Sequence, residues 1–364
     1  MVIIHIANID TDVIGGVQVV VPKMVRAQSK YADIGLINTS GKAVDGVREL
    51  HFGEKPDIAA LPEPFNKPDI IIFHEVYRFE YIGIYRAAAA ANIPYIIIPH
   101  GCLSKTAQHK KFLKKLAANI LYFNRFINSA RAIQYLSENE KNMSFFSKCT
   151  FFVSGNGVAI PHKRKTAFSD CGINFVYIGR LEVHIKGLDL MLKAIKKCER
   201  FLRQKNAVFM IYGPDYSGSH YQISRMTEKL GISDLVLLGR EKLGTEKEEI
   251  LLSSDCFIQT SRTEGLPLGP LEALAYGIPC IVTEGVGLGD IIERFGAGIK
   301  CKTDADSIAD GIKRFITEFD NVKSMSDSAA ELIKEQFDTD MIAEKTVEEY
   351  RSMAKKTAST QMRR

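Results

Sequence analysis

The chain has no Cys-x-x-Cys pair among its seven scattered cysteines, so neither a disulfide framework nor a zinc site is indicated. It also lacks a long apolar run. The best candidate, Ala87 to Ile98, is interrupted by Asn92 and Pro94 and falls short of the roughly 18 residues that span a bilayer. No basic leader with an apolar stretch and a small-residue cleavage site precedes the first apolar segment. A protein of the reducing cytoplasm is the expectation. Repeats of fixed short period and low-complexity tracts are absent too.

One stretch lacks charge of one sign. Between Tyr81 and Ser137 there is no Asp or Glu, while Arg86, Lys105, Lys110, Lys111, Lys114, Lys115, Arg125 and Arg131 are basic. The amino-terminal half therefore carries a positive face suited to an anionic partner, although the net charge is only +5. Nucleic acid is disfavoured, because the lysines have few interleaved aromatics and no recognised motif accompanies them.

What is present is an ordinary globular composition, 46% hydrophobic and 25% charged over 364 residues, long enough for two domains. Short β-rich runs alternate with helical patterns: Val2 to Ala7, Asp33 to Ile37, Asp69 to Phe73, Tyr95 to Ile98, Ala132 to Leu136 and Phe151 to Val153. A second series follows at Phe175 to Ile178, Val208 to Tyr212, Leu235 to Leu238, Cys256 to Gln259 and Ile278 to Val282. Continuous apolar strands separated by helix-length segments predict two parallel α/β sheets covered on both faces. The polar, glycine-containing segment from Ser154 to Gly172 reads as the linker between them. The chain after Asp304 reads as helical, with Lys355 to Arg364 as a frayed basic tail.

Two patterns carry chemistry. In Arg262-Thr263-Glu264-Gly265-Leu266-Pro267-Leu268-Gly269-Pro270-Leu271-Glu272, Glu264 falls in a loop after a strand. Pro270 suits a first helical position, Glu272 the first turn and Gly277 the C-terminal cap. Loop amides and a helix N-terminus together suit a diphosphate. The spacing of the two carboxylates alone fits a capping Glu beside a solvated loop Glu equally well. In Tyr177-Ile178-Gly179-Arg180-Leu181-Glu182-Val183-His184-Ile185-Lys186-Gly187, a strand runs into a loop with two cations. Arg180 and Lys186 can clamp the phosphates of a leaving diphosphate, or can be two surface cations.

Together with Gly15-Gly16-Val17 and Gly155-Asn156-Gly157-Val158, these motifs make the chain resemble glycosyltransferase family 4 over essentially its whole length. The resemblance implies a GT-B fold: two Rossmann-like doubly wound domains facing a central cleft. It places an acceptor-binding domain at 1–160, a nucleotide-sugar-binding domain at 172–336, and a helix around 340–355 packed back on the first. It implies a retaining, metal-independent transferase that moves a hexosyl or N-acetylhexosaminyl group from a nucleotide-diphosphate sugar, a UDP-sugar before a GDP-sugar, with no cofactor. Its acceptor would be a glycan, with bacterial capsule, O-antigen or exopolysaccharide assembly as the setting. By the same resemblance Arg180 and Lys186 bind the diphosphate, Glu264 the sugar hydroxyls and Glu272 the ribose. His100 faces the donor sugar and Gly16 the reaction centre, while Gly179, Gly265, Leu266, Pro267 and Leu268 complete the donor site. Gly287-Leu288-Gly289 resembles the family's glycine turn near the donor. The chain departs from the usual pattern in carrying Glu182 and His184 between the two cations. Competing readings are a GT-B nucleotide-sugar epimerase and a non-catalytic nucleotide-sugar-binding subunit.

Asp-x-Asp pairs, the metal-holding device of the other transferase fold, occur at Asp10/Asp12, Asp304/Asp306 and Asp338/Asp340. The last two lie near helix starts, where Asp is ordinary capping chemistry, and the cations at 180 and 186 would do a metal's electrostatic work. No metal is expected. From Lys110 to Phe123 a helical stripe of Phe112, Leu116, Ile120 and Phe123 runs beside lysines. That pattern suits the surface of an anionic, lipid-bearing membrane as well as it suits packing into the domain core.

Overall fold

The computed structural model describes residues 1–10, 16–109, 116–145 and 149–361. The chain divides into a first unit of Met1–Gly157 with Thr339–Arg364 and a second of Val158–Asp338, so it passes between them twice.

The first unit is built on six parallel strands: β1 (Val2–Ala7), β2 (Asp33–Asn38), β3 (Ile70–His74), β4 (Tyr95–Ile98), β5 (Ala132–Tyr135) and β6 (Phe151–Val153), ordered β2-β1-β3-β4-β5-β6. Both faces of the central strands are covered, and Ile70 to Phe73 and Ile96 to Ile98 are buried, which is why their sequences are continuous rather than alternating. Aromatic rings fill one side of the sheet: Phe73, Tyr95 and Phe126 meet edge-on or stacked with centroids 5.1 to 5.6 Å apart. The long helix Thr339–Gln361 belongs to this unit. It is tied down by the buried Ala343, Val347 and Tyr350 and by the 2.6 Å pair of Lys30 with Asp340. It runs through most of the stretch that composition marks as a frayed tail.

The second unit has β7 (Ile173–Ile178), β8 (Ala207–Tyr212), β9 (Val236–Gly239), β10 (Cys256–Gln259), β11 (Cys280–Thr283) and β12 (Gly298–Cys301), ordered β12-β11-β10-β7-β8-β9 and again all parallel. β12 is absent from the sequence-level reading. It is a four-residue edge strand containing Gly298 and Lys300, too short and too polar to stand out from a helix-flanking turn.

Three local expectations change. The segment read as a linker is folded against the second unit from residue 158 onward. Lys165 donates its backbone N–H to Tyr276 O at 2.9 Å, and its buried ammonium pairs with the fully buried Asp255 at 3.3 Å and with Leu252 O at 3.1 Å. The helix after Glu264 spans Leu268–Ala275 with Pro267 as its cap. Pro270 is therefore its third residue and Glu272 lies in the second turn, not the first. Proline costs nothing there, because the first four helical N–H groups have no intrahelical acceptor. Gly277 follows the helix with φ +76°, as a C-terminal glycine should. Finally, the stripe over the basic helix splits. Phe112 and the lysines at 110, 111, 114 and 115 lie outside the described residues. Phe123 is buried, whereas Leu116 and Ile120 are exposed, and the wider π-helical turn of Asn119–Phe123 intervenes.

Among the described residues Asp255 is the carboxylate paired with Lys165, and it also accepts from Asn174 N at 2.9 Å and Ser169 N at 3.2 Å. Asp255→Ala leaves a buried ammonium uncompensated and should cost about 3 to 5 kcal/mol in denaturant unfolding. Asp255→Asn, which keeps an acceptor oxygen, should cost less. A loss near zero in the alanine variant would mean that 158–172 is a free linker after all.

Candidate active site

In an open parallel sheet the strands on either side of an order reversal send their following loops apart, and ligands enter the gap at the carboxyl ends. In the second unit that reversal lies between β7 and β10, whose following loops carry Lys186 and Glu264. The β7 loop turns at Gly187 with φ +64°. A Cβ there would stand 1.9 Å from Thr260 O, so only glycine lets the two loops touch. Thr260 seals the contact, its hydroxyl donating to Gly187 O at 2.9 Å. Beyond it, Glu264 donates its N–H to Gly285 O at 2.8 Å, which fixes the β10 loop against the turn after β11.

These backbone contacts bring Lys186 Nζ onto Glu264 Oε1, both side chains mostly buried at 16% and 17% exposure. Ser261 also reaches that carboxylate, at 3.4 Å. Arg180 lies nearer the strand end, with its guanidinium 5.1 Å from the Tyr216 ring centroid and 3.0 Å from Glu182. Glu182, the departure from the family pattern, is therefore Arg180's counter-charge. His184 serves through its carbonyl, which accepts from Arg262 at 2.6 Å. Arg262 in turn grips Asp189 through two bonds of 2.6 and 2.8 Å. Although burial opposes the charge on Asp189, Arg262 holds its carboxyl below the ordinary range.

Glu272 is joined by Lys247 from the helix Gly244–Ser253. Nothing in the sequence marks Lys247 or Tyr216, since both are isolated residues in polar stretches. Of the remaining donor-site expectations, Leu266 is buried, and Gly179 closes on Tyr177, whose hydroxyl would be 2.9 Å from an added Cβ. Gly265 precedes Pro267 and Leu268 at the helix start. Gly289 opens the helix Gly289–Phe295 directly after Gly287 and Leu288.

In the first unit Gly16 begins the helix Gly16–Gln28 with open space where a Cβ would sit. The rest of its loop, residues 11–15, lies outside the described residues, as does Asp12. Asp10 pairs with Lys42, Asp304 caps a helix through Ser307 N at 2.8 Å, and no cluster of metal-ligating side chains occurs among the described residues.

His100 follows β4 and adopts φ +49°, a conformation that costs a non-glycine residue energy and concentrates at functional sites. Gly101 N donates to Glu140 at 2.5 Å, and Glu140's other oxygen takes Leu136 N at 2.7 Å. Burial pushes that carboxyl up while these two bonds work the other way. His100 Nε2 lies 3.0 Å from His74 Nδ1, and His74 Nε2 lies 2.9 Å from His5 Nδ1. This row of three imidazoles across β1, β3 and β4 escapes the sequence-level reading, although a histidine inside each of the runs Val2–Ala7 and Ile70–His74 is a polar residue where burial is expected. Burial drives all three pKa values down, to about 3 for His5 and about 4 for His100, with the neighbouring imidazoles adding to the effect at His74.

Likenesses to known proteins bear on the fold. Residues 160–332 match the family described as "Glycosyl transferases group 1". The N-acetyl-alpha-D-glucosaminyl L-malate synthase of Bacillus anthracis is 30% identical over 132 residues, 36% of this chain and 33% of that protein. A Bacillus subtilis (strain 168) protein named for teichuronic acid biosynthesis, TuaC, is 24% identical over 278 residues, 73% of this chain and 66% of that one. The matches thus span between one third and two thirds of these relatives. Among solved structures, Anabaena Alr3699/HepE in complex with UDP superposes with a TM-score of 0.75 at 17% identity, covering 97% of this chain and 100% of that one. The same protein with UDP-glucose gives 0.73 at 16%, covering 96% and 99%. These likenesses show the GT-B fold.

Because the folded imidazoles bind protons less readily than unfolded ones, whose pKa is 6.5, the unfolded state takes up more protons between pH 6.5 and about 4. Stability should therefore be complete above pH 7 and fall as pH drops through that window, by up to about 1.4 kcal/mol per pH unit for each imidazole involved. His5→Leu should flatten the slope by close to one proton when unfolding is followed from pH 7 to 4.5. An unchanged slope would mean that His5 titrates alike in both states.

Proposed function

We propose that this GT-B relative of the group 1 glycosyltransferases is a retaining, metal-independent transferase acting on a UDP-sugar and a glycan acceptor in bacterial surface polysaccharide assembly. The observation that carries the reading is the meeting of Lys186 with Glu264 at the order reversal between β7 and β10. An anionic donor group and a hydroxyl-rich one need opposite partners side by side, and this pair supplies both. UDP is favoured as the nucleotide because the structurally similar Anabaena protein holds UDP and UDP-glucose. The polysaccharide setting is supported by the naming of TuaC.

In this reading the second unit holds the nucleotide and the first binds the acceptor. Arg180 and Lys186 take the diphosphate, Glu264 the sugar hydroxyls and Glu272 the ribose, with His100 and Gly16 contributed by the first unit. The bond from the anomeric carbon to the phosphate oxygen breaks, and its electron pair leaves with the nucleoside diphosphate. The acceptor oxygen bonds to the anomeric carbon on the same face and gives its proton to the leaving phosphate oxygen. Cations beside that oxygen are worth most as its charge grows.

The first unit also exposes Leu116, Ile120, Leu121 and Tyr122 beside Phe79, whose ring meets Tyr122 at 5.6 Å. Together with the lysines that precede it in the sequence, this apolar surface supports peripheral contact with an anionic membrane at its cytoplasmic face and hence a lipid-linked acceptor. No helix among the described residues is long and apolar enough to cross a membrane. Replacing Ile120 and Leu121 with Asn should release the protein from anionic vesicles in a flotation assay. Equal binding by parent and variant would remove the membrane from this account.

Kinetics separate the two ends of the nucleotide site. Ribose contacts do not change during the reaction, so Glu272→Gln should raise the donor KM by roughly tenfold and leave kcat nearly intact. Lys186→Ala should lower kcat by roughly a hundredfold or more, and excess chelator should leave the parent rate unchanged. A Lys186→Ala enzyme that lost only donor affinity would put the leaving group elsewhere.

A further inference from the structure

The loop after β8, residues 213–218, is drawn onto the loop after β7, yet the proposed chemistry uses only the latter. The contact is backbone against backbone. A Cβ at Gly213 would stand 1.8 Å from Gly179 O, so only glycine allows the approach. Gly179 N donates to Tyr212 O at 3.0 Å and Leu181 N to Pro214 O at 3.3 Å. Arg180 lies between those two bonds, and its own carbonyl accepts from Tyr177 Oη at 2.9 Å and from Glu182 N at 2.9 Å. Its backbone is thus fixed, while its side chain is 46% exposed. An exposed arginine has many rotamers to give up on binding.

On the facing loop, Ser217 and Gly218 take left-handed conformations in succession, φ +55° and +77°, and turn the chain into the helix Ser219–Leu230. Asp215 closes this turn. Its Oδ1 accepts from Ser219 Oγ and from His220 N, each at 2.9 Å, and Tyr216 N donates to Ser219 Oγ at 2.9 Å. Tyr216 is a large aromatic left at the surface, 44% exposed, with the Arg180 guanidinium carbon over its ring, 5.1 Å from the centroid. The second partner of that guanidinium is Glu182, 3.0 Å from Nη2.

These two partners hold the cation in different ways. Glu182 engages N–H groups, the same donors that a phosphate uses. A phenol ring attracts the cation through its quadrupole and carries no charge with which an anion would compete. A diphosphate arriving at Arg180 must therefore displace Glu182, whereas it can leave the ring in place.

We propose that Tyr216 is the positioning residue for Arg180, holding its guanidinium on the β8 loop both with and without a nucleoside diphosphate, and that Glu182 is a built-in competitor for the same N–H groups. The assignment of the diphosphate to Arg180 rests on the function proposed above; the hold of the ring on Arg180 does not.

Two measurements separate them. The ligand-free parent is labelled at arginine with carbon-13 and nitrogen-15, and the Arg180 signals are assigned through Arg180→Lys. Ring current from Tyr216 should move the Arg180 side-chain protons upfield of the ordinary arginine position in the parent and in Tyr216→Phe, and Tyr216→Leu should return them to it. Ordinary positions in the parent overturn the proposal, and the parent spectrum decides alone if the leucine variant does not fold. UDP is then titrated by calorimetry. Tyr216→Leu should weaken binding roughly two- to fivefold, Tyr216→Phe should match the parent, and Glu182→Gln should tighten binding by up to about fivefold. In an Arg180→Met background Tyr216→Leu should cost nothing further. An equal loss in both backgrounds puts the ring on the nucleoside itself and overturns the proposal, as does parent-like affinity in Tyr216→Leu. Weaker or unchanged binding by Glu182→Gln overturns the competitor's part. If the parent did not bind UDP, or Arg180→Met bound it equally well, the nucleotide assignment of the proposed function would fail, and the ligand-free spectrum would still decide the hold of the ring.

Discussion

A parallel sheet can reverse its strand order only by sending successive crossovers to opposite sides, and the gap this opens is the one place where two neighbouring loops lean apart. The second unit uses it between β7 and β10. Everything else there depends on how closely the two loops can then be drawn together. Gly187 against Thr260 O is the constraint between these two loops, since any side chain at 187 would overlap that carbonyl. With the backbones in contact, a lysine and a glutamate 78 positions apart in sequence meet.

Much of this was legible beforehand because it follows from residue type. Strands covered on both faces read as continuous apolar runs, and eleven segments of that kind appear in the sequence in the regions where strands form. The loop glycines and the carboxylate at 264 stood out for the same reason, being small or charged residues directly after such runs. What failed was local reasoning applied where tertiary contacts decide. The stretch after Gly157 has linker composition, yet Lys165 is buried because Asp255 is waiting for it. Pro270 suggested a helix start, yet the helix begins two residues earlier, and the third position tolerates proline equally well. Lys247 and Tyr216 have no sequence pattern, because their partners Glu272 and Arg180 lie on a distant helix and loop, and the histidines in two apolar runs do not show that their rings will meet.

Among the described residues of the candidate site, three cations each meet a carboxylate: Lys186 with Glu264, Arg180 with Glu182, Lys247 with Glu272. A half-buried lysine with no counter-ion would carry an uncompensated desolvation cost, and pairing offsets it while holding the side chain in place. It also sets a condition on any anionic ligand, which must outcompete a carboxylate already in place. A diphosphate can do so, because it carries more charge and presents oxygens to Arg180 and Lys186 together, whereas a single carboxylate meets each cation separately.

On the proposed reading, that competition has a second effect. When the diphosphate takes Lys186, Glu264 gives up its ion pair with that ammonium, while Ser261 stays 3.4 Å away. A carboxylate in that position needs donors, and sugar hydroxyls are the donors that arrive with the diphosphate. Binding of the two halves of the donor is therefore coupled through one ion pair: a nucleoside diphosphate alone takes the ammonium from Glu264 without bringing hydroxyls in exchange, and a free sugar alone finds Glu264 engaged with Lys186. Only the joined molecule satisfies both charges, so the pair favours the intact donor over either of its fragments.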